Sequence, residues 1–455
     1  MAIKAKLTTF DTTMIVVSLV IGIGIFRTPA IVAKATQKPI LFFAAWSLGG
    51  LISLLGALTF AEIGSRFPRP GSFYKVVAES YGSLLAFMLN WTSVLIVNGA
   101  GAAAVAIIGA EYLNPIILPQ RLQSQLAVQL SAAGLMLILL VINYLGIKTG
   151  AWAQNILTLI KIGMIALLVF AAFRHHGFPA AASLPEAGES SNPWWLAVAI
   201  GLISVFYTYG GYQCTINFGA DVQKAQRNMP RAILVGVLII IACYLSINFA
   251  YFKVLGVQGI AEAKLVAAEV ARVCFGSFGY LFVSLAIFLS ATGFLNVTLM
   301  QIPRAYYAMA EDRTLPQVFK KVHPRTQTQE FALLFFGAVI LLSIFFLGTF
   351  ENIVNYVMFL DSMNIAIVAS TIFILRRKAK LEGQAYAGAR APLYPVLPAF
   401  FVLFLMGISV NVLLTQTRQA LIGAIIFVTG LPVFFLMRRI NKSARPTGPP
   451  PAAQA

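Results

Sequence analysis

Long apolar runs alternate with short polar connections along the chain from its first residues to about position 440. About twelve of the runs reach the ~20 residues that a helix needs to cross a bilayer. They lie near 11–35, 40–64, 82–110, 125–145, 151–173, 195–219, 231–255, 278–308, 330–349, 352–375, 394–415 and 419–437. The pattern predicts an all-α membrane protein with about twelve transmembrane helices. Residues 261–275 (AEAKLVAAEVARVCF) carry apolar positions at helical spacing, which predicts a short helix lying on the outer surface. The longest connections, near 174–194, 311–329 and 376–393, are too short for a separate soluble fold. The tail, 441–455, ends in RPTGPPPAAQA and is expected to be disordered and cytoplasmic.

Helix-breaking residues interrupt two of the runs. The first span contains Gly22-Ile23-Gly24, followed by Arg27 and Pro29. The sixth contains Tyr207-Thr-Tyr-Gly-Gly-Tyr212, with Gly210 and Gly211 adjacent. A single G-x-G in an apolar helix is explained by close packing of small residues. Two breaks at matching places, five spans apart, point instead to two inverted halves of a transporter. An offset of five spans makes the two helices cross the membrane in opposite directions, so their unwound centres can meet near the midplane. Half-helix amides and freed carbonyls would then face one cavity, an arrangement that suits a small zwitterion.

Composition agrees with a lipid environment: 59% of residues are hydrophobic and 11% charged. The net charge of +18 would suggest nucleic acid in a soluble protein. Here Lys and Arg gather in alternate connections: the N-terminus (Lys4, Lys6), 66–75, Lys148, 224–231, 313–325, 376–390 and 438–445. This bias predicts an even number of spans with both termini in the cytoplasm, and no nucleic-acid partner. No cleaved signal peptide is expected at the N-terminus. Cys214, Cys243 and Cys274 show no metal-ligand spacing, and no disulfide is expected.

The motifs resemble those of the amino acid–polyamine–organocation superfamily, closest to the L-type exchanger branch and its bacterial relatives. GIGIF at 22–26 is similar to the family's G-S/A-G-I-F, and EIGSRFPRPGSFY at 62–74 to its acidic–FP–G–Y turn. YGGY at 209–212 resembles the YGGW-type break of span 6, and RNMPR at 227–231 the opening of span 7. SATGFLN at 290–296 and RAYYAMAEDRTLP at 304–316 resemble span 8 and the loop after it. The resemblance implies a 5+5 inverted repeat with helices 1 and 6 broken. The first repeat would occupy 1–175 and the second 190–376, with spans 11 and 12 in 390–440. It implies transport of amino acids or related amines without ATP. It also implies substrate binding by Gly22, Ile23, Gly24, Ile25 and Phe26 and by Tyr207, Tyr209 and Gly210, with Tyr207 as an aromatic gate. Three departures stand out. Ile23 replaces the small or hydroxyl residue usual between the glycines, and Asp221-Val-Gln replaces an acidic pair. The loop near 112–124 has no cysteine, so the covalent partner subunit of animal exchangers has no attachment point there. With no Asn-x-Ser/Thr in an outer loop either, a prokaryotic inner-membrane protein working alone is expected.

Charged and polar residues inside the spans are the candidates for mechanism. Lys161 lies about ten residues from either end of span 5, where an ammonium costs ~2.5–3.5 kcal/mol on insertion scales. It is either a structural lysine bonded to carbonyls or a coupling group. In sodium-coupled relatives of the fold a cation sits between spans 1, 5 and 8. A span 5 lysine would put its ammonium there instead, with Ser290 and Thr292 as neighbours, and could exchange a proton during the cycle. Arg27 either reaches the outer vestibule or pairs with Asp361 of span 10 as an outer gate, together with Tyr207. The competing role for Asp361 is to bind a cationic substrate's distal amine. Asn296 is either cavity-lining or helix–helix glue. Glu62 and Glu111 read as interfacial, and His175, His176 and His323 as loop residues without metal-ligand company.

Nothing in the sequence suggests an enzyme, a metal site or a cofactor. There is no nucleotide-binding loop to supply ATP energy and no ring-forming selectivity filter. A sodium-independent transporter of amino acids, as exchanger or proton symporter, is the first expectation, with a neutral substrate favoured by the apolar surroundings of the breaks. A polyamine or cationic amino acid transporter using Asp361 is the alternative, and a non-transporting membrane receptor or scaffold is the different class. Partners beyond lipid and substrate, and the oligomeric state, are not specified.

Overall fold

The computed structural model describes residues 4–93, 98–174, 193–263, 265–346, 350–383, 388–415 and 417–443. Side chains at 350–359, 419, 442 and 443 are left aside, and the tail at 444–455 and the pair His175 and His176 lie outside the described residues. Among the described residues, each of the twelve apolar runs is mostly helical. In chain order the helices are α1 (Thr9–Val20), α2 (Gly24–Thr36), α3 (Pro39–Arg66), α4 (Ser72–Tyr81), α5 (Ser83–Thr92), α6 (Gly99–Ile117), α7 (Gln125–Tyr144) and α8 (Ile147–Arg174). They continue with α9 (Trp194–Tyr209), α10 (Ala225–Glu262), α11 (Val266–Phe275), α12 (Phe278–Glu311), α13 (Glu330–Phe346), α14 (Phe350–Leu381), α15 (Val396–Thr415) and α16 (Thr417–Ser443). Among the described residues nine helices are long and apolar enough to cross a membrane, or ten if α1 and α2 form one bent span.

The surface confirms the solvent. Leu414, Leu403 and Ile425 are 74%, 67% and 64% exposed, an outward apolar face that only lipid tolerates over so many helices. α12 is the most enclosed candidate span, with 61% of its apolar window buried, whereas α16 has 22%. The first is the axis of the molecule and the second a peripheral helix. α12 packs against α6, α8, α11 and α13, and α10 lies along α3 and α1.

Local chemistry explains several boundaries. Thr8 and Asp11 form a reciprocal capping box that starts α1. Pro39 opens α3 at its first turn, where a missing N–H costs nothing. The expected span 82–110 takes in α5 and the first part of α6, and 94–97 between them lie outside the described residues. α10 loses helical geometry at Gly256 (φ 66°, ψ 174°), next to the predicted end of that span. The short surface helix is α11, which buries Val266, Ala267, Val270 and Ala271 while Arg272 pairs with Glu269 on its exposed face.

Candidate functional site

The first break is a real interruption. α1 stops at Val20, α2 starts at Gly24, and their axes bend by 45°. The Gly22 N–H folds back to Val20 O (2.8 Å) and the Phe26 N–H to Ile23 O (3.1 Å). Among the described residues no backbone carbonyl accepts from the N–H groups of Ile23, Gly24 or Ile25. These are the orphan donors of a helix start, and the positive end of the α2 dipole adds to them.

The second break ends α9 at Tyr209. Gly210 is extended, Gly211 has φ 119°, and a 3₁₀ segment follows over Tyr212–Asn217. Only glycine suits position 211 on two counts: the left-handed backbone, and the closeness of Leu19 O, into which a Cβ would run. The two breaks therefore touch. Tyr244 of α10 ties them together, its buried hydroxyl donating to Val20 O of the first (3.0 Å) and to Thr208 O of the second (3.2 Å). The Tyr244 ring packs in turn against Tyr209 in a tilted arrangement (4.9 Å between centroids) and edge-on against Trp46 (6.0 Å).

Between the breaks and the opposing helices lies a cavity of about 340 Å³. Gly22, Ile23 and Gly24 line it from the first break, and Tyr207, Thr208, Gly210 and Gly211 from the second. The far wall comes from α6, α12 and α14 and includes Thr298, Gln301 and Asp361. A mostly apolar concavity with a few converging polar groups is the usual form of a small-molecule site.

Lys161 of α8 sits behind the first break rather than in the cavity. Its buried ammonium donates to Ile21 O (3.0 Å), a carbonyl that the break releases, and to Ser18 Oγ (3.1 Å). On the other side Gly293 of α12 leaves room for it, since a Cβ there would lie 2.8 Å from Nζ. The lysine thus stands where α1, α8 and α12 meet. The hydroxyl it uses is Ser18, which sequence reasoning passed over. Ser290 lines the small gap beside Lys161 together with Phe26, and the Thr292 hydroxyl donates to Phe288 O within its own helix.

Four expected substrate contacts fall elsewhere. Asn296 is fully buried glue: Nδ2 donates to Gln154 Oε1 (2.9 Å) and Gly150 O (3.1 Å), and Oδ1 accepts from Asn143 Nδ2 (2.8 Å). That joins α12, α8 and α7 and leaves the amide outside the cavity wall. Tyr209 turns away into the Trp46–Tyr244 cluster. Ile25 and Phe26 are buried, with Phe26 facing the Lys161 gap. Of the proposed gate residues, Tyr207 and Asp361 line the cavity, while Arg27 is exposed on α2 within electrostatic reach of Tyr112. Glu62 lies near the end of α3. It is wholly buried and holds Arg376 at 2.6 Å, Arg66 at 2.6 Å and the Ala391 N–H at 2.7 Å, so it clamps α3 to the end of α14. Glu111 is exposed, as an interfacial residue should be.

One turn past Gln301 on α12, a buried ion pair joins the helix to the segment after the second break. Arg304 donates to both carboxylate oxygens of Asp221 (Nε to Oδ2 2.5 Å, Nη2 to Oδ1 3.1 Å), to Met300 O, and lies over the Phe218 ring at 4.8 Å. Asp221 O accepts from the Lys6 and Leu7 N–H groups, both at 2.8 Å. Lys75 bridges to Asp312 (2.5 Å) and Glu311 (2.8 Å) close by.

This layout of two broken helices around one cavity can be set beside known proteins. The amino acid permease family matches residues 7–434. The chain belongs to that family. It is a membrane transporter, not an enzyme. It is similar to the serine/threonine exchanger SteT of Bacillus subtilis (strain 168), at 29% identity covering 94% of this permease and 96% of the exchanger. The human cystine/glutamate transporter is 24% identical, covering 97% of this permease and 87% of that protein. The human Asc-type amino acid transporter 1 is also 24% identical, with 96% and 82% covered.

Proposed function

We propose that this permease carries amino acids across the cytoplasmic membrane by alternating access, without sodium, as an exchanger or a proton symporter. The observation that carries the reading is the pair of breaks lining one cavity, with the open amides of α2 at one wall. A substrate α-carboxylate would take those amides. Exchange is favoured by the similarity to proteins such as the serine/threonine exchanger of Bacillus subtilis. Sodium independence rests on Lys161: its ammonium already holds Ile21 O and Ser18 Oγ, the oxygens that a cation between α1, α8 and α12 would need. A second cation beside it would meet strong repulsion in a poorly hydrated interior.

In the same reading all twelve apolar runs cross the membrane. The first five (1–175) and the next five (190–376) are inverted repeats, spans 11 and 12 lie in 390–440, and both termini are cytoplasmic. The Arg304–Asp221 seal is then the inner gate, closed in this conformation. Arg27 and Tyr207 act on the outer side. No partner subunit is required.

The test is counterflow in proteoliposomes loaded with unlabelled amino acids, with labelled ones outside, in the presence and absence of Na⁺ and a pH gradient. Uptake that needs internal amino acid and ignores Na⁺ supports exchange, and uptake into empty vesicles driven by protons supports symport. Strict Na⁺ dependence overturns the role given to Lys161. Binding without flux would favour a receptor. For the substrate, apolar lining favours a neutral side chain, while Asp361 in the cavity wall favours a cationic one.

A further inference from the structure

The wall of the cavity that faces the two breaks is more polar than its sequence neighbourhood suggests. Asn98, Thr298, Gln301 and Asp361 all reach it, and Cys214 joins them from the 3₁₀ segment of the second break. Most of their polar atoms have partners within the protein. Asn98 donates to Ser93 O (2.9 Å), Thr298 to Phe294 O (2.8 Å), and Cys214 hydrogen-bonds with Gln301. Tyr207, at the edge of this wall, hydrogen-bonds with Ser362. Asp361 differs. Among the described residues no donor or cation is found acting on its carboxylate, which feels only its burial, and no described Lys, Arg or His lines the cavity. Tyr207 and Cys214 both lie close enough to feel its charge. Lys161 stands behind the first break, with two of its three ammonium protons given to Ile21 O and Ser18 Oγ.

A carboxylate at such a depth, facing a largely apolar space and without a cation among the described residues, is costly unless something brings it a proton donor. The cavity also carries two groups of opposite polarity. One wall offers the positive end of α2 and the other a carboxylate. A molecule with its own carboxylate at one end and an ammonium at the other fits both.

We propose that Asp361 is the specificity residue of this permease and receives the terminal ammonium of a substrate side chain, so that the preferred substrates are diamino acids. The inference rests on the proposed amino acid transport and narrows it to a substrate class. The α-carboxylate goes to the α2 amides, and the aliphatic part of the side chain crosses the apolar middle, past Ile23 and Val105. The side-chain ammonium meets Asp361.

The experiment compares substrates matched in length that differ at the terminal amine: ornithine against norvaline, and lysine against norleucine, each as inhibitor of counterflow and as driver of exchange. The wild-type permease is expected to prefer the amine-bearing member of each pair by at least about tenfold, the worth of one charged hydrogen bond. Asp361→Asn should collapse or reverse that ratio by about 10- to 100-fold, and Asp361→Glu should restore part of it. Equal handling of both members by the wild type overturns the inference while leaving amino acid transport intact. So does an Asp361→Asn variant that loses all amino acids in equal proportion, which would assign the carboxylate to the α-ammonium common to them. The wild-type ratio decides the matter even if Asp361→Asn fails to fold. Absence of flux for every amino acid would instead count against the parent reading.

Discussion

Replacing Asp221 by Asn tests the seal below the cavity. The substitution keeps the shape of the side chain and removes its charge. In the structure Arg304 is 3% exposed and Asp221 fully buried, so the variant leaves a guanidinium without its counter-ion in a dry site. Breaking a buried pair by removing one partner costs about 3–5 kcal/mol. That cost falls on the closed arrangement alone, because both groups regain water when the inner side opens. The equilibrium should therefore move toward the open form by roughly 100- to 5,000-fold. The remaining links, Lys75 to Asp312 and Phe73 N–H to Asn217 Oδ1, hold the closed form against complete loss. Cys214 supplies the readout, since it lines the cavity on the far side of the seal. With Cys243 and Cys274 replaced by Ala, an impermeant maleimide added from the N-terminal face should label Cys214 at least tenfold faster in Asp221→Asn than in its parent. Substrate should slow the reaction. Equal labelling rates in a correctly folded Asp221→Asn variant would refute the assignment of Arg304–Asp221 as a gate.

Tyr244→Phe removes a shared donor without opening a cavity. Val20 O and Thr208 O lose it in a buried setting, which should cost about 1–3 kcal/mol, lower the thermal midpoint and weaken substrate protection against unfolding. Gly211→Ala forces a Cβ toward Leu19 O and a left-handed backbone worth about 1–2 kcal/mol by itself, so substrate binding measured by thermal shift should vanish before the fold does. Lys161→Met should reduce counterflow by about tenfold or more, the worth of the charged hydrogen bonds that hold the Ile21 carbonyl. Unchanged counterflow in that variant would leave the lysine a purely structural role.

Much of this architecture can be read from apolar run length, because the bilayer imposes one length on every crossing. The breaks are legible too, since Gly22, Gly24, Gly210 and Gly211 interrupt runs that otherwise have no reason to stop. Lys161 is legible as a charge in an apolar helix. Direction is not. α9 is apolar all round, so its period does not reveal that Tyr207 faces the cavity while Tyr209 faces Trp46. A lone amide such as Asn296 looks the same whether it binds substrate or joins helices, and only the positions of Gln154 and Asn143 decide. Tyr244 gives no signal because an aromatic residue is ordinary in such a run. Arg304 and Asp221 stand 83 residues apart, and their pairing emerges only when α12 passes the end of the second break. The clamp made by Glu62 gives no signal because its partner Arg376 is 314 residues away.

The most direct measurement of the central claim is amino acid counterflow in proteoliposomes with Na⁺ replaced by choline. The account predicts labelled uptake that depends on internal amino acid or on a proton gradient and is unaffected by the replacement. Uptake that disappears without Na⁺ would contradict it, because the place between α1, α8 and α12 would then belong to a metal cation and not to the Lys161 ammonium.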